Sequence, residues 1–158
     1  MNNAYRNNET ISKRKVYIIG FILLVMVIGF AFYNTKDLIT EGAIKKEELM
    51  NEYNLLQPLP GALRTTLSSH NKSNSAIVSA SYRSSKNYEE IKSFYMAEAK
   101  KNGWVFVNEE TVSDWGRDFG GKSLHFRKGD YTLSIQYAGE KADYGWDFGV
   151  SLAWSYMK

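Results

Sequence analysis

Residues 76–103 read AIVSASYRSSKNYEEIKSFYMAEAKKNG, and within this stretch the hydrophobic period changes from two to about 3.6. Ala76, Val78, Ala80 and Tyr82 alternate with Ser79, Ser81 and Arg83, the pattern of a half-buried strand. From Tyr88 the apolar residues fall at Tyr88, Ile91, Phe94, Tyr95 and Ala99, which line one side of a helix, while Lys92, Lys100 and Lys101 face water. Asn87 with Glu90 three residues later forms a capping box, and Gly103 supplies the stop.

Working outward, Ala62–Ser68 reads as a strand joined to Ala76–Arg83 by a polar loop, Ser69–Ser75. Downstream, Trp104–Asn108, Lys122–Lys128, Tyr131–Tyr137 and Phe148–Tyr156 read as strands, with Lys128-Gly129-Asp130 as a tight hairpin. The order β-β-α-β-β-β-β predicts an α+β domain: an antiparallel sheet of about five to six strands with one helix packed across it.

The run Tyr88-Glu89-Glu90-Ile91-Lys92-Ser93-Phe94-Tyr95, then Glu98, Asn102-Gly103-Trp104 and Arg127-Lys128-Gly129-Asp130-Tyr131, resembles small uncharacterised bacterial membrane-anchored envelope proteins. The resemblance covers about Ser81–Tyr137 and implies a transmembrane or lipid anchor followed by a compact α+β domain. It implies no catalytic residues.

Val16–Tyr33, VYIIGFILLVMVIGFAFY, carries no charge over 18 residues. As a helix it spans about 27 Å, against roughly 30 Å of bilayer hydrocarbon. Gly29-Phe30-Ala31 is a weak cleavage signal, but the apolar run exceeds the roughly 7–15 residues of a signal peptide, so an uncleaved anchor is expected. Lys13-Arg14-Lys15 abut its start and only Lys36 lies near its far end, which places the N-terminus in the cytoplasm. The expected organisation is a cytoplasmic basic tail (1–15), a transmembrane helix (16–33), a juxtamembrane helical stalk (34–57) and an extracytoplasmic α+β domain (58–158). Ile39, Ala43, Met50 and Tyr53 give the stalk a weak stripe, which Gly42 and Lys46 interrupt, and Pro58, Pro60 and Gly61 end it. Cell-membrane, single-pass localisation follows.

The formal net charge is +3, and much of it sits in the basic tail. From Pro58 onward 13 basic residues face 11 acidic ones, so the domain has no footprint for nucleic acid. With no cysteine, disulfides, thiolate catalysis and cysteine zinc sites are excluded. Gly116–Ser123 matches the phosphate-loop spacing, but Ser123–Arg127 alternates as a strand where that loop needs a helix. Asp118-Phe119-Gly120 and Asp147-Phe148-Gly149 echo a kinase triplet in a chain too short for that fold. His70 and His125 show no sequence partner and are expected to be structural or solvated. No catalytic residue, cofactor or metal is expected.

Two related segments stand out: DWGRDFG at 114–120 and DYGWDFG at 143–149, each followed by Ser-Leu-x-aromatic. Glycines at bends with packed aromatics would explain both structurally. If the loops are neighbours at one rim, Trp115, Arg117, Phe119, Tyr144 and Trp146 form a partner-binding patch. The expected function is a membrane-tethered, non-enzymatic binding module that engages a protein in a bacterial envelope, as an immunity-type inhibitor or an accessory subunit. Recognition of cell-wall glycan by the same aromatics is the alternative, and an envelope hydrolase ranks below both. The expected partners are therefore the lipid bilayer, an envelope protein and, on the second reading, glycan.

Overall fold

The computed structural model of the chain describes residues 3–114 and 116–155, with side chains for 16–33, 41–113 and 116–155. In chain order the elements are α1 (Asn3–Leu55), β1 (Leu63–Lys72), β2 (Ser75–Arg83), α2 (Tyr88–Lys101), β3 (Val105–Asp114), β4 (Arg117–Lys128), β5 (Tyr131–Tyr137) and β6 (Phe148–Ser155). The chain divides into two compact units, Met1–Leu38 and Ile39–Lys158. In the first, Val16–Tyr33 is 18 residues of mean hydropathy 2.6 with no side chain buried, one helix long and apolar enough to cross a membrane.

The second unit is α+β, as the sequence predicts. Its six strands form one antiparallel sheet in the order β1-β2-β6-β5-β4-β3. Alternation along each central strand sends one set of side chains to a covered face: Val78, Ala80 and Tyr82 of β2, Phe148, Val150 and Leu152 of β6, Leu133 and Ile135 of β5, Leu124 and Phe126 of β4. Small residues oppose large ones there, Ala76 against Trp154 and Ala80 against Val150. Tyr82 and Phe148 stack with ring centroids 4.9 Å apart.

Helix α2 begins as expected, with the reciprocal Asn87–Glu90 capping box, and buries Tyr88, Ile91, Tyr95, Glu98 and Ala99. Its chain stop is Gly103, at φ +81. Phe94 is half-buried rather than fully enclosed. A second helical segment shares the core. Leu49, Tyr53 and Leu56 are buried with the sheet residues, so the folded unit includes chain well before Pro58. The buried side of this segment runs through Gly42, Leu49 and Tyr53 and leaves Ala43 exposed, a stripe offset from the one the sequence suggested. Gly42 lies in contact with the β1–β2 turn: a Cβ there would sit 1.8 Å from the Lys72 carbonyl oxygen. The glycine permits close approach instead of weakening the helix. Lys45 Nζ donates to Glu48 and to the Tyr131 hydroxyl, Tyr131 donates to Glu48, and Lys128 Nζ donates to both Glu52 oxygens at 2.7 and 2.8 Å.

Three boundaries differ from expectation. The proposed loop Ser69–Ser75 is mostly strand, because β1 runs to Lys72 and β2 starts at Ser75. Strand β3 continues past Asn108 to Asp114, and β4 starts at Arg117 rather than Lys122. Tyr156, the expected end of the last strand, lies outside the described residues.

Candidate functional site

Two irregular segments meet at one end of the sheet. In β4 the backbone kinks at Gly120 (φ +79), where Asp118 Oδ1 accepts from the Gly120 amide at 2.8 Å. Opposite the kink, β3 and β4 slip register between Val112 and Asp114. The side chain of Phe119 is left half-buried at the strand margin.

The second segment links β5 to β6. Asp147 fixes it: its amide donates to Tyr82 O at 2.8 Å, its carbonyl accepts from Ala138 at 2.9 Å, and its Oδ2 accepts from the Ser84 amide at 2.7 Å. Arg83 Nε donates to Gly145 O at 2.8 Å. The approach to β4 depends on Gly139, at φ +103, where a Cβ would lie 2.2 Å from Phe119 O.

These constraints bring the rings together. Phe119 and Tyr144 meet edge to face with centroids 6.0 Å apart, and Tyr144 stacks on Trp146 at 5.6 Å with planes 22° apart. The Arg117 guanidinium carbon stands 5.5 Å from the Phe119 ring centroid. Of the five residues expected at the rim, Arg117, Phe119, Tyr144 and Trp146 are therefore neighbours. Trp115 lies outside the described residues.

A cavity of about 270 Å³ opens among Val112, Phe119, Gln136, Ala138, Tyr144 and Trp146. Phe119 also lines a groove of about 540 Å³ with Asn87, Tyr88, Lys122, Glu140 and Lys141. Beside that groove, Glu109 accepts from Tyr88 at 2.7 Å and from Lys92 at 2.6 Å. Lys92 and the Tyr88 hydroxyl hold the Glu109 carboxyl below the usual glutamate value, while burial and Glu109 push the Tyr88 phenol up.

The two DFG triplets are not structural equivalents. Phe119 is at the rim, whereas Phe148 is fully buried against Tyr82 and Tyr95. Asp118 makes the β4 kink, and Asp147 ties its loop to the end of β2. The Ser-Leu-x-aromatic segments do correspond: Leu124 and Phe126, like Leu152 and Trp154, fill the core. The phosphate-loop match falls inside β4 and its hairpin, and no helix follows Gly121.

Sequence reasoning missed Val112, Gln136 and Ala138 as cavity walls. Val112 sits at an edge-strand bulge, which leaves no periodic trace. Gly139 carried the available signal, a lone glycine after a strand. His125 also has partners that the sequence did not reveal: its Nδ1 lies 3.0 Å from Ser134 Oγ and its Nε2 2.9 Å from Glu110 Oε1. This hydroxyl–imidazole–carboxylate line occupies the other side of the sheet. It lines neither the rim cavity nor the neighbouring groove. His70 is exposed on β1, opposite Ile77. Among the described residues no group of three or more His, Asp or Glu is placed to hold a metal ion.

The second unit is thus a single-sheet α+β domain with an aromatic margin. Residues 64–144 match the family model described as START domain-like, and the chain belongs to that family. The matched segment contains all of Ser81–Tyr137 and reaches the second aromatic loop at Tyr144. It characterises a domain compatible with a binding module and assigns no cellular location. No curated protein and no solved structure matches the chain.

Proposed function

We propose that the chain is a membrane-tethered binding module of a bacterial envelope, with its folded unit outside the cytoplasm and a protein partner at the rim. Val16–Tyr33 is the span, and Lys13-Arg14-Lys15 hold the N-terminus inside. The observation that carries the reading is the contact of two separately anchored loops through Phe119, Tyr144 and Trp146, with Arg117 alongside. Rigid aromatics next to a guanidinium bury area at low entropic cost, the composition of interface hot spots. Tethering confines the module near a membrane-bound target and raises its effective concentration. An immunity-type inhibitor and an accessory subunit both use that advantage.

A protein is preferred over glycan because these rings cover parts of one another, while a sugar stacks on a broad free face. The test is crosslinking pulldown of the full chain from its native membrane, with Tyr144→Ala and Trp146→Ala alongside. Losing either ring should cut recovery of the specific partner about tenfold or more, as for a hot-spot residue. Unchanged recovery with both variants rejects the rim. Cosedimentation with purified peptidoglycan, abolished by the same substitutions, would transfer the site to glycan.

A further inference from the structure

A third cavity, of about 410 Å³, lies remote in sequence from the rim, between the end of α1, the 56–62 connection and the first two strands. Leu56, Pro58 and Leu63 give it apolar walls, and Tyr53, Arg64 and Tyr82 give it polar ones. Tyr53 and Tyr82 are 6% and 4% exposed, and their hydroxyl oxygens stand 2.6 Å apart. Arg64 Nη1 approaches the Tyr53 oxygen at 3.4 Å.

Two phenols hold two protons, and the bond between them uses one, whichever donates. The other has no acceptor among the described residues, since the only further partner of the pair is Arg64, itself a donor. Arg64 makes no ion pair among the described residues, and no carboxylate lines the cavity. A site with a spare phenolic proton and an unpaired guanidinium, and no anionic acceptor, is complementary to an oxyanion.

We propose that this cavity binds an organic phosphate or carboxylate, with the anion on Arg64 and the tyrosine pair and the apolar body against Leu56, Pro58 and Leu63. Recognition is non-covalent, and the site is separate from the rim.

The test is titration of the full chain in nanodiscs with phenyl phosphate, read by calorimetry, with phenol as the uncharged control. Saturable binding of phenyl phosphate, not of phenol, is expected. Arg64→Gln should weaken it about tenfold or more, the loss typical of a charge-assisted contact. Arg64→Lys should recover part of that loss. Tyr82→Phe keeps the ring stacked on Phe148 and should weaken binding by a smaller factor. Equal binding of phenol, no saturable phenyl phosphate binding, or unchanged affinity in Arg64→Gln overturns the proposal. Competition identifies the source of the anion: displacement by inorganic phosphate but not dihexanoyl phosphatidic acid means a free anion, and the converse means a lipid headgroup. Both results support the oxyanion site.

Discussion

Gly42 and Glu98 each act on the backbone of another segment, and neither role follows from the residue's own helix. Alanine at Gly42 would drive a methyl group into the Lys72 carbonyl. Gly42→Ala should therefore cost about 1–3 kcal/mol despite alanine's better helix propensity, which alone would favour it by about 1 kcal/mol. A lower midpoint for thermal loss of near-ultraviolet circular dichroism checks the sign. Glu98 is buried, and its Oε1 accepts from the Gln57 amide at 3.0 Å and from Asn102 Nδ2 at 3.0 Å. The Gln57 amide, followed by Asn102 and Lys101, holds the Glu98 carboxyl below the ordinary glutamate value. In the window between the folded and unfolded values the unfolded chain binds more protons, so stability falls as pH drops through it. Glu98→Gln should flatten that acid limb, measured as midpoint against pH. Glu48, Glu90 and Glu109, also shifted down, keep part of the slope. From sequence, Gly42 read as an interruption of the stalk stripe and Glu98 carried no structural role, since each partner is distant along the chain.

Among the elements, α2 and the central strands were legible because burial on one face enforces a period. The misplaced ends belong to β1 and β3, the two outer strands of the sheet, and to the start of β4, whose only partner there is β3. An outer strand can be polar on both faces, as SSHNK is in β1, and pairing with a neighbour then decides its length. The later part of α1 poses the converse problem, since its stripe reads as a weak surface helix. Apolar burial rather than ion pairing fixes it to the sheet. Leu49 is fully buried, and Leu49→Ala should cost about 2–5 kcal/mol. Glu52→Gln, which breaks the partly exposed pair with Lys128, should cost about 1 kcal/mol or less. Denaturant midpoints of the two variants, compared at equal slope, test the ranking. At the rim, the aromatic and glycine spacing announced the ring-bearing loops, but their contact depends on Gly139 crossing Phe119, a relation between backbones that composition does not encode.

For the whole molecule, the absence of native cysteine makes the proposed topology directly measurable. A single reporter, Ser68→Cys, sits on an exposed strand residue. In spheroplasts with intact membranes it should react with an impermeant maleimide without permeabilisation, while Asn7→Cys in the tail should react only after it. The reverse pattern would invert the assignment that rests on Lys13-Arg14-Lys15. The rim residues and the oxyanion cavity would then face the cytoplasm, and the partner would have to be sought there.

Strand β6 is late in the sequence but central in the sheet, flanked by β2 and β5. It delivers Phe148, Val150, Leu152 and Trp154 to the core. Synthesis is vectorial, so β2 emerges long before the strand that completes it. Until residues 148–155 are available, β2 and β5 each present an unpaired ladder and an uncovered apolar row. The nascent sheet stays open in its middle until its centrepiece arrives.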